Sequence, residues 1–280
     1  MNTHFTLNNG ITIPSIGYGT WQVEQGPTAV ESVINAIHAG YRHIDTAACY
    51  GNEQSVGEAI ARCGVDRRSL FVTSKVWNTE RGYDSTLRAF ERSLNDLGLS
   101  YLDLYLIHWP ASPHQFADWK QINADTWRAM EKLLRNGMVR AIGVSNFMPH
   151  HLEALLESAT VTPAVNQIEF HPGYTQPECV AFCRDHGILV EAWSPLGCGR
   201  VLDHETLTGL ARQYDRTPAQ ICLRWILQQG ILPLPKSVTP SRMKSNLDLG
   251  GFELTDEDMQ RLEAMGYCGA SGLHPDSVDF

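Results

Sequence analysis

Short apolar runs rich in β-branched residues alternate along this chain with longer segments whose apolar positions return every three or four residues. The runs Ser15–Tyr18, Tyr41–Asp45, Leu70–Lys75, Leu102–His108, Val139–Ser145, Ala164–Glu169, Leu189–Trp193 and Ile231–Leu234 predict strands. The helical period predicts helices between them at Thr28–Ala39, Asn52–Cys63, Ser85–Leu97, Ala124–Asn136, Pro149–Glu157, Pro177–His186, Pro218–Gln228 and Pro240–Asn246. Eight strands, each followed by a helix, predict an α/β protein of the closed (β/α)8 TIM-barrel type, with an open doubly wound sheet as the rival. Phe5–Leu7 and Thr12–Ile13, joined by Asn8-Asn9-Gly10, read as an N-terminal β-hairpin placed to plug the barrel bottom. His204–Tyr214 and Thr255–Met265 predict two extra helices, the second opened by Thr255 with Asp258 three residues on. Gly266 to Phe280 reads as a loop, and no linker divides residues 1–280, so one domain is expected.

Composition narrows the class. The chain has 280 residues, of which 43% are hydrophobic, enough for one large core. No apolar stretch approaches the roughly 18 to 20 residues of a membrane span, and Met1–Gly10 lacks the features of a signal peptide. A net charge of −9 argues against a general nucleic-acid partner. Seven scattered cysteines, an odd number, argue against a disulfide framework. The expectation is a cytoplasmic enzyme acting on a small molecule.

Barrel enzymes place their chemistry where the strands end. Asp45, Lys75 and His108 end the second, third and fourth strands, and Tyr50 follows closely after the second. Taken singly, a strand-end Lys is a solvated side chain and a loop Tyr is packing. Together they make a proton donor. A phenol titrates near 10, an adjacent ammonium favours its phenolate, and a carboxylate keeps that ammonium charged. Lys75 and Asp45 fill those two roles for Tyr50, while His108 would donate a hydrogen bond to the same substrate oxygen. The set suits a carbonyl oxygen becoming an alkoxide.

A hydride source would complete that reaction, yet neither G-x-G-x-x-G nor a phosphate loop is present. After the last strand comes Pro235-Lys236-Ser237-Val238-Thr239-Pro240-Ser241-Arg242-Met243-Lys244-Ser245-Asn246, a cluster of three cations in an acidic chain. Thr239 and Pro240 read as the cap and first residue of a helix, and barrels often bind phosphate in this region. Ser145, Asn146 and Gln167 would hold a carboxamide through paired donors and acceptors. Trp193 would stack on a flat ring. Trp21, Trp77 and Trp109 each follow a strand end and predict an aromatic-walled substrate pocket.

Five ordered blocks carry a resemblance over nearly the whole chain. They are Gly40–Ala48 continuing through Tyr50, Asn52, Glu53 and Val56-Gly57; Leu104–Pro110; Ile142–Phe147; Val165–Glu169; and Pro235–Asn246. On these the sequence resembles the aldo-keto reductases, a (β/α)8 family that binds NADPH across the barrel mouth without a Rossmann fold. The resemblance implies a catalytic tetrad of Asp45, Tyr50, Lys75 and His108, with Tyr50 as general acid. It implies NADPH/NADP+ contacts at Ser145, Asn146, Gln167, Trp193, Ser194, Leu196 and Val238, 2′-phosphate contacts at Lys236, Ser237 and Arg242, and Asn246 near the adenine. It also implies a monomer. Trp193 and the short tail are similar to bacterial and protozoan members of the 2,5-diketo-D-gluconate reductase type.

Three rivals remain at this stage. A Schiff-base lyase would use Lys75 as nucleophile, but a neighbouring carboxylate keeps that amine charged. A cofactor-sensing or weakly catalytic barrel would keep the same site. A metal hydrolase lacks its ligands, since no H-E-x-x-H occurs and Cys179 with Cys183 is a single helical pair, so no metal is expected.

Overall fold

The computed structural model describes residues 3–280. The hairpin strands β1 (His4–Thr6) and β2 (Thr12–Pro14) pair antiparallel. Eight parallel strands follow, hydrogen-bonded in chain order: β3 (Tyr18–Gly19), β4 (His43–Asp45), β5 (Phe71–Val76), β6 (Leu102–Ile107), β7 (Val139–Ser145), β8 (Val165–Glu169), β9 (Leu189–Trp193) and β10 (Leu232–Pro233). The ends of this sheet meet where Gly17 donates its N–H to the Pro233 carbonyl at 3.0 Å and Gly19 donates to Pro235 at 3.1 Å. Gly17 is required at this seam, because a Cβ would collide with Leu234 and His43. The eight-stranded barrel is therefore the observed architecture.

Among the described residues ten helices accompany it: α1 (Pro27–Ala39), α2 (Glu53–Arg62), α3 (Tyr83–Leu97), α4 (Trp119–Arg135), α5 (Pro149–Leu156), α6 (Pro177–Asp185), α7 (Glu205–Tyr214), α8 (Pro218–Gln228), α9 (Pro240–Leu247) and α10 (Asp256–Glu263). The two outside the strand–helix repeat are α7 and α10, as the pattern predicts. Thr255 caps α10 by accepting the Asp258 N–H at 3.2 Å. Two differences from the sequence pattern are physical. Helix α4 begins before Ala124, because Asn123 anchors its first turns by exchanging hydrogen bonds with the Ala111 backbone at 2.8 and 3.0 Å rather than by an apolar period. Strands β3 and β10 are only two residues long, pinched at the glycine seam.

The core has two parts. One lies between strands and helices and includes Ile44, Val72, Tyr105, Trp127 and Trp225. The other fills the barrel floor, where Leu7 and Ile13 of the hairpin pack with Phe71, Leu104, Leu106, Val165 and Leu232. Asn8 and Asn9 fasten the hairpin there by donating to the Pro163 and Arg140 carbonyls at 2.9 and 3.0 Å. The floor is closed by apolar packing, so the working face is the other end. Among the described residues no helix is long and apolar enough to cross a membrane.

Candidate active site

Asp45 is the last residue of β4, Lys75 lies one from the end of β5, and His108 follows β6 directly. Tyr50 ends a short 3-10 turn, Ala48–Tyr50, that Gly51 terminates in the left-handed region at φ 66°. The barrel thus brings all four side chains to one mouth.

Lys75 is fully buried and all three of its ammonium hydrogens have acceptors. They go to Asp45 Oδ1 at 2.6 Å, the Thr46 carbonyl at 3.0 Å and Tyr50 Oη at 3.2 Å. Because Tyr50 Oη accepts from Lys75, its own hydrogen is free to point elsewhere. Burial works to strip the Lys75 proton, but Asp45 and then Tyr50 outweigh it, and the amine is held charged above its ordinary range. The phenol behaves otherwise than the sequence reading suggests. Desolvation dominates the opposing pull of Lys75 and pushes Tyr50 up to about 12. His108 is held neutral, well below the ordinary imidazole range, by burial and then by Lys75. Its Nδ1 lies 3.4 Å from Cys49 Sγ, whose thiol desolvation raises to about 12. A protonated sulfur donating to Nδ1 would leave the hydrogen of neutral His108 on Nε2.

Around this centre the predicted carboxamide holders form one network. Ser145 Oγ donates to the Gln167 carbonyl at 2.7 Å, and Asn146 Nδ2 donates to the His108 carbonyl at 2.9 Å. Trp193 Nε1 donates to Asn146 Oδ1 at 2.8 Å. Asn146 and Ser194 both sit at positive φ, 63° and 47°, backbone strain of the kind that gathers at functional sites. Ser194 and Leu196 are half-buried beside them.

Past β10, Lys236, Val238 and Arg242 are exposed, Ser237 is half-buried and Asn246 is buried. Ser237 Oγ accepts the Thr239 N–H at 3.1 Å, and Tyr18 Oη holds the Ser237 carbonyl at 2.7 Å. Thr239 occupies the N-cap position of α9 without a side-chain capping bond, and Pro240 follows as its first residue. No ion pair among the described residues uses Lys236, Arg242 or Lys244. Lys236 and Arg242, cations without an ion-pair partner among the described residues beside the start of α9, suit an anionic group.

The aromatic wall is only partly the expected one. Trp77 lies edge-on to His108 at 5.2 Å, and Trp109 tilts against Trp193 at 6.5 Å. Trp21 is 47% exposed and makes no ring contact with them among the described residues. A tail residue not among the three predicted tryptophans joins the wall. Phe280 stacks on Trp77 at 5.6 Å and meets Trp109 edge-on at 5.3 Å. Its carbonyl-end oxygen accepts from Asn78 Nδ2 at 2.9 Å.

The tail that delivers it is fastened to a strand end, a loop and a helix at the mouth. Arg200 grips the Gly269 carbonyl, Ser271 binds Glu169 through N and Oγ at 2.8 and 2.6 Å, and Asp276 lies 3.0 and 3.2 Å from His150 and His151. Among the described residues His150, His151 and Asp276 are also the one group spaced for a metal. His151 Nδ1 accepts the Met148 N–H, however, so the hydrogen of neutral His151 is on the Nε2 that a metal would need.

A barrel with this strand-end chemistry, and without a dinucleotide fold, defines a carbonyl-reducing class of oxidoreductase. A model of the Aldo/keto reductase family matches residues 15–266, and the chain belongs to that family. The glyoxal reductase of Bacillus subtilis (strain 168) is 50% identical over 274 residues, which are 98% of this chain and 96% of that one. A solved mutant of Gox0644 in complex with NADPH superposes with a TM-score of 0.90 at 42% identity, covering 100% of each chain. An aldo-keto reductase of Bombyx mori in complex with NADP gives a TM-score of 0.86 at 38% identity over 94% of this chain and 92% of that one.

Proposed function

We propose that this protein reduces small aldehydes and ketones, dicarbonyls such as methylglyoxal or diketo sugar acids among them, to alcohols with NADPH, and that Tyr50 is the general acid. The observation that carries this reading is the saturation of Lys75. Its three hydrogens are committed to Asp45, Thr46 and Tyr50, which leaves the Tyr50 hydroxyl as a donor with no protein acceptor. Family membership and the glyoxal reductase relative support the substrate class.

The residues present fit the cofactor. Among the described residues Gln167 spends its amide N–H groups on Asp45 and Glu191 and its oxygen receives no donor, while Lys236 and Arg242 make no ion pair beside the start of α9. Ser145, Asn146 and Gln167 would hold the carboxamide, Trp193 would stack on the nicotinamide, and Lys236, Ser237 and Arg242 would take the 2′-phosphate. Ser194, Leu196 and Val238 would line the strip between, with Asn246 near the adenine. Bound there, NADPH supplies the hydride.

The chain's own groups handle the oxygen. Tyr50 O–H and His108 Nε2–H point a pair of donors at a carbonyl oxygen, as an oxyanion requires. A phenol held near 12 keeps its proton across the working range, which suits reduction over oxidation. Lys75, charged and fully coordinated, is not an amine nucleophile, which speaks against a Schiff-base reaction.

The test is steady-state NADPH oxidation with methylglyoxal, phenylglyoxal, 4-nitrobenzaldehyde and a diketo sugar acid, for wild type and Tyr50→Phe. Turnover should fall by about 10²-fold or more in the variant, with NADPH affinity unchanged. Equal turnover by the two proteins removes Tyr50 from its role.

A further inference from the structure

One buried ionisable group has no part in the reaction described above. Glu191 stands on β9 in register with Gln167 on β8, and it is wholly buried. An acidic residue inside an apolar barrel strand needs a reason. Its Oε2 accepts one N–H of the Gln167 side chain at 2.8 Å. The other N–H of that amide reaches Asp45 Oδ2, also at 2.8 Å. Among the described residues Glu191 Oε1 has no partner.

A primary amide has two N–H donors on one end and one oxygen on the other. Here both donors are consumed by carboxyl oxygens, one from the neighbouring strand β9 and one from β4 across the barrel. Turning the amide over would forfeit both N–H bonds and set its oxygen against the charged Asp45 carboxylate. The orientation of Gln167 is therefore set by its neighbours, and its Oε1 is the end left without a partner. The donors of Ser145 and Asn146 are spent on backbone carbonyls and on each other, and each side-chain oxygen already accepts one bond, so each keeps a single lone pair for a ligand. Gln167 Oε1 is the acceptor in this corner with both lone pairs free.

We propose that Glu191 is a positioning residue for cofactor recognition: together with Asp45 it clamps Gln167 so that an acceptor faces the mouth, and the site thereby selects a pyridine ring bearing a carboxamide N–H donor. The proposal rests on the reading that Gln167 meets the nicotinamide carboxamide. It assigns to a residue outside that contact the choice of which ligand end is accepted. A clamp made by a single carboxylate would leave one N–H of Gln167 unsatisfied and the amide free to turn. Burial, and then the Asp45 charge, raise the Glu191 carboxyl to about 8, so a protonated Glu191 holds its place without adding a second buried anion beside Asp45.

The experiment compares NADP+ with its 3-acetylpyridine analogue, in which the amide becomes a methyl ketone and offers no donor. Binding is read by quenching of tryptophan fluorescence in wild type, Glu191→Gln, Glu191→Leu and Glu191→Met. Adenosine 2′,5′-bisphosphate, which lacks the pyridine, reports whether each variant retains the rest of the site. Wild type should prefer NADP+ by about tenfold, the discrimination expected when an acceptor is left unpaired. Glu191→Gln keeps an acceptor oxygen and should retain that preference. Glu191→Leu and Glu191→Met should reduce it to about threefold or less while binding the bisphosphate as wild type does. Full discrimination in either apolar variant overturns the role of Glu191. Wild type that binds both dinucleotides equally overturns the placement of the carboxamide on Gln167 instead, so the two failures are distinct.

Discussion

Lys75 shows how much chemistry one side chain can carry once it is dry. Its charge is matched by Asp45 at 2.6 Å, in a setting where neither group meets water. Removing one partner of such a pair strands the other. Lys75→Met should lower the unfolding free energy by about 3–5 kcal/mol in urea titrations. The double variant Asp45→Asn/Lys75→Met should recover much of that loss while remaining inactive, a coupling that independent sites would not show. The identities of these residues are legible from strand-end position alone. The protonation of Tyr50 is not, because the sequence shows a cation nearby but not the burial that overrides it. Glu191 is likewise visible as an acidic residue in Leu189–Trp193, yet its partner on the far wall lies 122 residues from Gln167 and is found only when the ring closes.

At the scale of elements, the strands and most helices follow from periodicity because each buries one apolar stripe. What periodicity cannot place is a segment held by scattered polar contacts, and the tail is such a segment. Its fastenings are at the end of β8 (Glu169), in the loop after β9 (Arg200) and on α5 (His150 and His151). Phe280→Ala should change the ranking of substrates, raising KM for aryl aldehydes severalfold more than for methylglyoxal, with NADPH affinity unchanged. Asp276→Ala should shift the ranking in the same direction and speed proteolytic cleavage of the tail. An unaltered ranking in both variants would place the substrate away from this wall. Helix α9 makes a separate prediction. Arg242→Ala should weaken NADPH by about 10- to 100-fold and NADH little, because a charge-assisted phosphate contact is lost. An equal loss for both cofactors would put the phosphate elsewhere.

Over the whole molecule, buried titratable groups bound the pH range of stability from both sides. His43 is buried and pushed down to about 3, against an ordinary 6.5, by desolvation and then by Lys75. Between those values the unfolded chain takes up a proton that the folded one refuses, so stability falls as pH drops through that window. His108 acts in the same direction. Glu191 acts oppositely. From its ordinary 4.5 up to about 8 the folded chain keeps a proton that the unfolded chain has released, so stability falls as pH rises there. Glu191→Gln should therefore reduce the drop in urea midpoint between about pH 5 and about pH 9, and a midpoint difference equal to wild type would show that Glu191 does not titrate in this range.

The hairpin floor has a kinetic meaning. A vessel stoppered at one end empties in the reverse order of its filling. If the nicotinamide end sits against Gln167, it lies beneath whatever compound meets Trp77 and Phe280, and the upper guest must leave first. Traffic would then be sequential: NADP+ would compete with NADPH for the free enzyme, whereas the alcohol would not. Product-inhibition patterns read that queue directly, and an alcohol competitive with NADPH would mean the deeper guest can leave past the upper one.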